Sequence, residues 1–238
     1  GVLCGQSKAE KILRGFSRDV IISKQLHAGF NEDKFKPGLE PKFRNQYNIR
    51  DKFVFLFVGA LGYRKGIHMI LEALHDLRIK HNNLHFLMVG SGEYDDELNI
   101  KIDNLGLRDI VTSIPWMAND DLPYVYNSAD VFLYPSIPHE GWEEQFGYSI
   151  AEASLCGLPV VSTKTGGIDE VLIDRKTGIM VQSGNVSELK NAMEEMIAGN
   201  ELRKELGRNG RQFIVENYSN RIVAQKLYNF FKRVYESK

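Results

Sequence analysis

The stretch FVFLFVGALGYRKGIHMILEALHDL (residues 53–77) decides the fold. Its first seven residues, FVFLFVG (53–59), form a continuous apolar run without alternation, the pattern of a parallel strand covered on both faces. Glycines at 59, 62 and 66 break the run. Ile67, Ile70, Leu71, Leu74 and Leu77 then recur at helical spacing, which predicts a helix lying on a sheet. Strand, glycine turn and helix make one β-α unit.

The unit repeats along the chain. LHFLMVG (84–90) reads as a second strand, and YDDELNIKIDNLG (94–106) as a second helix. Further strands are expected at 110–114, 130–134, 158–162 and 178–182. Helices are expected near 120–127, 147–156 and 167–173, and three more follow from about 186. This rhythm predicts an α/β fold: a Rossmann-like doubly wound parallel sheet with extra C-terminal helices. The first 36 residues differ. A short strand (VLCG), a basic helix (SKAEKILRGF) and a strand (VIISKQ) precede NEDKFKPGLEPK, a polar linker bearing proline and glycine.

Composition narrows the function classes. With 238 residues, 43% of them hydrophobic, the chain can bury a sizeable core. No apolar run is long enough to span a bilayer, no signal peptide is visible, and the only two cysteines, Cys4 and Cys156, lack metal or redox spacing. A cytoplasmic protein is the expectation. The formal net charge of -1 argues against a nucleic-acid partner. Lys and Arg outnumber Asp and Glu by 11 to 6 in residues 1–52 and by 9 to 4 in 201–238, whereas the middle carries 10 against 21. Two basic ends around an acidic centre suggest peripheral contact with an anionic membrane.

The chemistry concentrates in EEQFGYSIAEASLCGLPVVST (143–163), read as loop, helix and buried strand. Glu144 falls just before the helix and Glu152 about two turns inside it. A helix start offers free N–H groups and partial positive charge, which suit a phosphate. Carboxylates before and after it bracket a phosphorylated ligand and accept hydrogen bonds from its hydroxyls. Two other glycine turns follow strands. In GALGYRKGI (59–67) Lys65 stands before a helix start. In VGSGEY (89–94) Gly90 and Gly92 leave room for a base or ribose. The spacing at 59, 62 and 66 is not the G-x-G-x-x-G fingerprint, which weighs against a nicotinamide enzyme.

Glu144 and Glu152, with QFG between them and EAS and CGLPVV after, resemble the Glu-x7-Glu element of retaining GT-B glycosyltransferases of the group 1 (family 4) class. The resemblance covers about residues 20–235. It implies that Glu144 holds donor-sugar hydroxyls and Glu152 the ribose hydroxyls. It further implies that the backbone of Phe146, Gly147 and Tyr148 meets the diphosphate or sugar, and that the backbone near Met117, in SIPWMANDDLPYVYNSADVFLYPS (113–136), meets the base. Such enzymes usually grip the diphosphate with an arginine directly after the first glycine and a lysine five positions later. Lys65 matches the lysine, Ala60 occupies the arginine position after Gly59, and Arg64 is the neighbouring cation. Glu144 and Lys65 are the candidate catalytic residues; the donor-binding set is Gly59, Arg64, Gly90, Gly92, Met117, Phe146, Gly147, Tyr148 and Glu152.

The resemblance implies transfer of a hexose from a UDP- or GDP-linked donor to a saccharide or lipid-linked acceptor, with retention of configuration and no metal or other cofactor. It also implies a division of the chain: residues 1–36 as the remnant of an N-terminal acceptor domain and linker, 37–215 as the nucleotide-sugar-binding domain, and 216–238 as a helix packing back toward the missing domain. Without that domain the chain is expected to bind donor but not transfer it. Two other classes fit parts of the pattern: a GT-B nucleotide-sugar epimerase, and a non-catalytic nucleotide-sugar-binding module.

Overall fold

The computed structural model describes residues 1–5, 7–16, 20–24 and 29–237. Gln25 of the second strand reading and residues 26–28 of the expected 1–36 segment lie outside the described residues. Near the N-terminus, β1 (Val2–Cys4) and β2 (Ile22–Lys24) pair in parallel, with α1 (Ser7–Phe16) between them in the chain. None of the α1 side chains is buried; Ile12 and Phe16 are open to solvent.

The main sheet has six strands, all parallel. In chain order they are β3 (Phe53–Val58), β4 (Leu84–Val89), β5 (Val111–Ile114), β6 (Val131–Tyr134), β7 (Val160–Thr163) and β8 (Ile179–Val181). Their spatial order is β5-β4-β3-β6-β7-β8. Numbered from β3, that is the 3-2-1-4-5-6 order of a doubly wound sheet, reversing between β3 and β6. The central strands have no exposed face: Val54, Phe55, Leu56 and Phe57 are wholly buried, as are Phe86 and Leu87 beside them. Burying each such side chain is worth about 1.5–3 kcal/mol, which is why these strands read as unbroken apolar runs.

The helices cover both faces. α2 (Lys42–Gln46) follows the linker, and α3 (Ile67–Leu77) buries Ile67, Ile70, Leu71, Leu74 and Leu77, the face expected from spacing. α4 (Asp95–Asn104), α5 (Leu122–Tyr126) and α6 (Tyr148–Leu155) follow. α7 (Val186–Ala198) packs on α3, and α8 (Asn200–Tyr218) on α6. α9 (Asn220–Glu236) ends the chain. The segment expected as a helix at 167–173 is only a 3-10 turn, Ile168–Glu170.

The linker is fixed to the domain by charge-assisted bonds. Arg44 donates to Asp130 Oδ2 at 2.7 Å, and the same oxygen accepts from the Val54 amide at 2.7 Å, holding α2 at the start of β3. Phe30 exchanges backbone bonds with Tyr218 and Asn220 at 2.9 Å, so the linker runs beside the α8–α9 junction. Among the apolar residues of α9, Val223 and Phe230 are buried, whereas Tyr228, Phe231 and Tyr235 are exposed.

Candidate functional site

The strand ends at the order reversal carry the charged centre. Lys65 lies in the 3-10 turn Tyr63–Lys65 after β3, and Tyr134 closes β6. Lys65 Nζ donates to Glu144 Oε2 at 2.6 Å and also to the Tyr134 hydroxyl, which in turn donates to Glu144 Oε2 at 2.7 Å. The lysine and glutamate side chains are each only 10% exposed, so Lys65 is no surface lysine. Burial pushes the Lys65 ammonium below its ordinary value, while Glu144, as neighbouring charge and acceptor, holds it up. Burial, then the adjacent Glu144, pushes the Tyr134 hydroxyl well above the ordinary range, so it remains a donor. Tyr134 was not singled out in the sequence: DVFLYPS reads as a buried strand, and nothing local reveals that its last side chain meets a charge.

Glu144 is placed by a second loop. Its carbonyl accepts from the Gly167 amide at 2.8 Å. Gly166 has φ +55, and a Cβ there would stand 1.9 Å from the Glu144 carbonyl oxygen, so only glycine lets the two loops touch. Gly166 and Gly167 therefore support Glu144 as well as forming a turn.

Glu152 sits elsewhere, at the base of a cleft of about 380 Å³. The cleft is lined by Val58, Gly59 and Ala60 from the end of β3, Val89, Gly90 and Ser91 from the end of β4, Trp116, Met117 and Leu122, and Ser149 and Glu152 from α6. Because α6 begins at Tyr148, after Gly147 at φ +85, Glu152 is its fifth residue, little more than one turn in rather than two. Tyr126, wholly buried, donates to Glu152 Oε2 at 2.9 Å. Burial pushes the Glu152 carboxyl above its ordinary value, against the opposing pull of the Tyr126 bond and Lys34. Trp116 is 75% exposed and so walls this cleft instead of joining the core.

The other expected residues divide between the two centres. Gly90 and Gly92 serve loop packing: a Cβ on either would meet the carbonyl oxygen of Gly59 or Leu61, at 1.9 and 2.2 Å. Phe146 packs its ring on Phe30 and Tyr218, leaving its backbone at the start of α6, and Tyr148 is half exposed beside it. Among the described residues no side chain caps α6, so its first amides have no side-chain partner there. Arg64 lies apart from the Glu152 cleft. Its guanidinium stacks on the Trp142 ring at 3.7 Å, and its Nη1 is buried with no hydrogen-bond partner among the described residues. Trp142 and His139 close a tight turn through paired backbone bonds, with Glu140 and Gly141 both at positive φ.

Trp142 and Glu144 also line a 550 Å³ cavity walled on its other side by Ser7, Lys8 and Lys24 of the N-terminal segment. Lys24 and the Ser7 amide reach Glu170 there, and Lys8 reaches Glu143. Among the described residues no group of three or more His, Cys, Asp or Glu could hold a metal ion, and no helix is long and apolar enough to cross a membrane.

The chain is similar to known proteins in sequence and in fold. The family described as "Glycosyl transferases group 1" matches residues 40–213. The GDP-mannose-dependent alpha-(1-6)-phosphatidylinositol monomannoside mannosyltransferase of Mycolicibacterium smegmatis is 29% identical over 206 residues, 85% of this chain and 54% of that protein. The D-inositol 3-phosphate glycosyltransferase of Paenarthrobacter aurescens is 30% identical over 207 residues, 85% and 50% of the two chains. In structure, Anabaena Alr3699/HepE in complex with UDP superposes with a TM-score of 0.87 at 23% identity, over 98% of this chain and 63% of the other; this likeness is one of fold. The chain spans about half the length of the curated relatives it matches. With the matched segment running from the linker through the Glu144 loop and the Glu152 helix to α8, the chain belongs to the group 1 glycosyl transferases.

Proposed function

We propose that this chain is the donor-binding half of a retaining hexosyltransferase that uses a UDP- or GDP-linked sugar and a saccharide or lipid-linked acceptor. The observation that carries the reading is the buried Lys65–Tyr134–Glu144 group beside the uncapped start of α6, where the strand order reverses. The base enters the cleft between Trp116, Met117 and the ends of β3 and β4, and the ribose hydroxyls donate to Glu152. The diphosphate then runs to the first amides of α6. Lys65 has three N–H donors; Tyr134 and Glu144 engage two, leaving the third for a phosphate oxygen. Arg64 adds its charge from its stack on Trp142. Glu144 keeps lone pairs on Oε1, beyond the 3.2 Å bond from the Gln145 amide, for a sugar hydroxyl.

In the transfer step the bond between the sugar's anomeric carbon and the diphosphate oxygen breaks. The acceptor hydroxyl oxygen bonds to that carbon, and its proton passes to the departing phosphate. Lys65 and the α6 amides stabilise the charge that develops on the leaving group. The reading assigns residues 1–36 to the remnant of an N-terminal acceptor domain and linker, 37–215 to donor binding, and 216–238 to a helix returning toward that domain. It places the enzyme in the cytoplasm, with contact at the membrane face where lipid-linked acceptors lie.

Calorimetric titration of the chain with UDP, GDP and ADP, each with and without an attached hexose, tests this reading. One nucleotide should bind saturably, and Glu152→Ala and Lys65→Ala should each abolish binding. Transfer should be absent from the chain alone. Binding of none of the three overturns the assignment.

A further inference from the structure

A third cavity, of about 490 Å³, opens beside the charged centre and shares only Arg64 with the donor-binding set. Tyr63, Tyr94, His139 and Trp142 supply its aromatic walls, and Glu93, Glu97 and Glu140 its carboxylates. The Tyr63 ring lies 4.9 Å from His139 and 5.6 Å from Tyr94, centroid to centroid, nearly perpendicular to the latter, and is 42% exposed. Trp142 lines both this cavity and the 550 Å³ one that Glu144 also lines, so the two share that side chain.

The chemistry of the lining selects its ligand. Three carboxylates against the one guanidinium of Arg64 repel a phosphate, which sets this cavity apart from the nucleotide cleft. Flat aromatic rings receive the C–H faces of a pyranose, and carboxylates accept its hydroxyls. Arg64, on the cavity wall, brings a guanidinium, whose N–H groups are donors for a sugar oxygen. We infer that this cavity binds a neutral or amino-bearing pyranose, a sugar unit of the acceptor next to the one that reacts. The assignment to the acceptor rests on the glycosyl-transfer reading above; the binding of a pyranose does not.

The test is saturation-transfer NMR of the whole chain with methyl α-glucopyranoside, methyl α-mannopyranoside and methyl α-glucosaminide, with and without UDP or GDP. At least one glycoside should bind saturably and remain bound when nucleotide is present. Tyr63→Ala and Glu93→Gln, both at exposed positions that leave the core intact, should each weaken it about tenfold, as expected for loss of an anchor or a paired acceptor. Nucleotide titration of the same variants should be unchanged. No signal from any glycoside, or signals in both variants equal to the parent's, overturns the inference. Glycoside binding in a chain that takes no nucleotide would sink the donor reading and leave the pyranose site standing.

Discussion

Lys65 Nζ and Glu144 Oε2 meet at 2.6 Å in an almost closed environment, on loops that follow different strands and lie 79 residues apart in the chain. Neither charge is cheap to bury alone, and each makes the other tolerable. The pair therefore stores two properties at once: it fixes the loop before α6, and it holds a cation beside the phosphate position proposed above.

Removing one partner should cost far more than removing both. Lys65→Met leaves a buried carboxylate and should destabilise the chain by about 3–5 kcal/mol, whereas Lys65→Met with Glu144→Leu should recover most of that loss. Urea denaturation of the two single variants and the double variant measures the coupling. Additive losses would show that the two charges are independently solvated.

Glu152 should trade stability for binding. Its folded pKa lies above the ordinary 4.5 because burial penalises the anion. Between 4.5 and the folded value the folded state holds the proton more tightly, so the associated stability is full below 4.5 and is lost as pH rises through the folded pKa. Glu152→Gln should accordingly be more stable than the parent at neutral pH, match it near about pH 4, and bind nucleotide weakly. Denaturant midpoints at the two pH values, beside a nucleotide titration, check all three outcomes.

The sheet was legible in the sequence because its strands are covered on both faces; FVFLFVG and LHFLMVG have no polar face to confuse the reading. The Glu144 and Glu152 element was legible because both residues lie within one loop-helix segment. Tyr134 was not, since its role arises only where the ends of β6 and the Lys65 turn converge. The same holds for Trp142: its neighbours in the chain say nothing of Arg64, which reaches it across 78 positions. Contacts made by tertiary convergence leave no local pattern.

His85 supplies a pH dependence far from the site. It lies in β4, bonded to the Thr112 hydroxyl at 2.9 Å, and burial lowers its pKa from 6.5 to about 4. The unfolded chain binds the proton first, so stability is full above 6.5 and is lost as pH falls toward about 4. His85→Gln should flatten that acid-side decline without changing nucleotide affinity. The slope should not vanish, because burial also lowers His68. Stability curves across this window decide the matter; an unchanged slope would mean that His85 titrates freely.

Gly166→Ala should act on the site without touching any ligand. The added methyl carbon would sit 1.9 Å from the Glu144 carbonyl oxygen at a φ that alanine disfavours. A loss of about 1–3 kcal/mol follows from the strain, together with weaker donor binding as the Glu144 loop is pushed away. Gly38→Ala is the control: it shares a positive φ, at +84, but has open space around it. Equal effects on donor affinity from both substitutions would show that the loop contact is incidental.

Ala60 tests how the diphosphate is held. It is exposed and lines the cleft that contains Glu152, at the position where the resemblance expects an arginine. Arg64 does not replace that arginine in place: it is stacked on Trp142 and lines the neighbouring cavity. Ala60→Arg should therefore add a cation instead of duplicating one. A guanidinium bonded to a phosphate is worth about 1.5–3 kcal/mol, so UDP or GDP should bind roughly ten- to a hundredfold more tightly. The gain should shrink with added salt and be absent for the corresponding nucleoside, which has no phosphate to meet. Equal tightening for nucleoside and diphosphate would place the new side chain against the base, and the diphosphate path along Lys65 and the start of α6 would have to be redrawn.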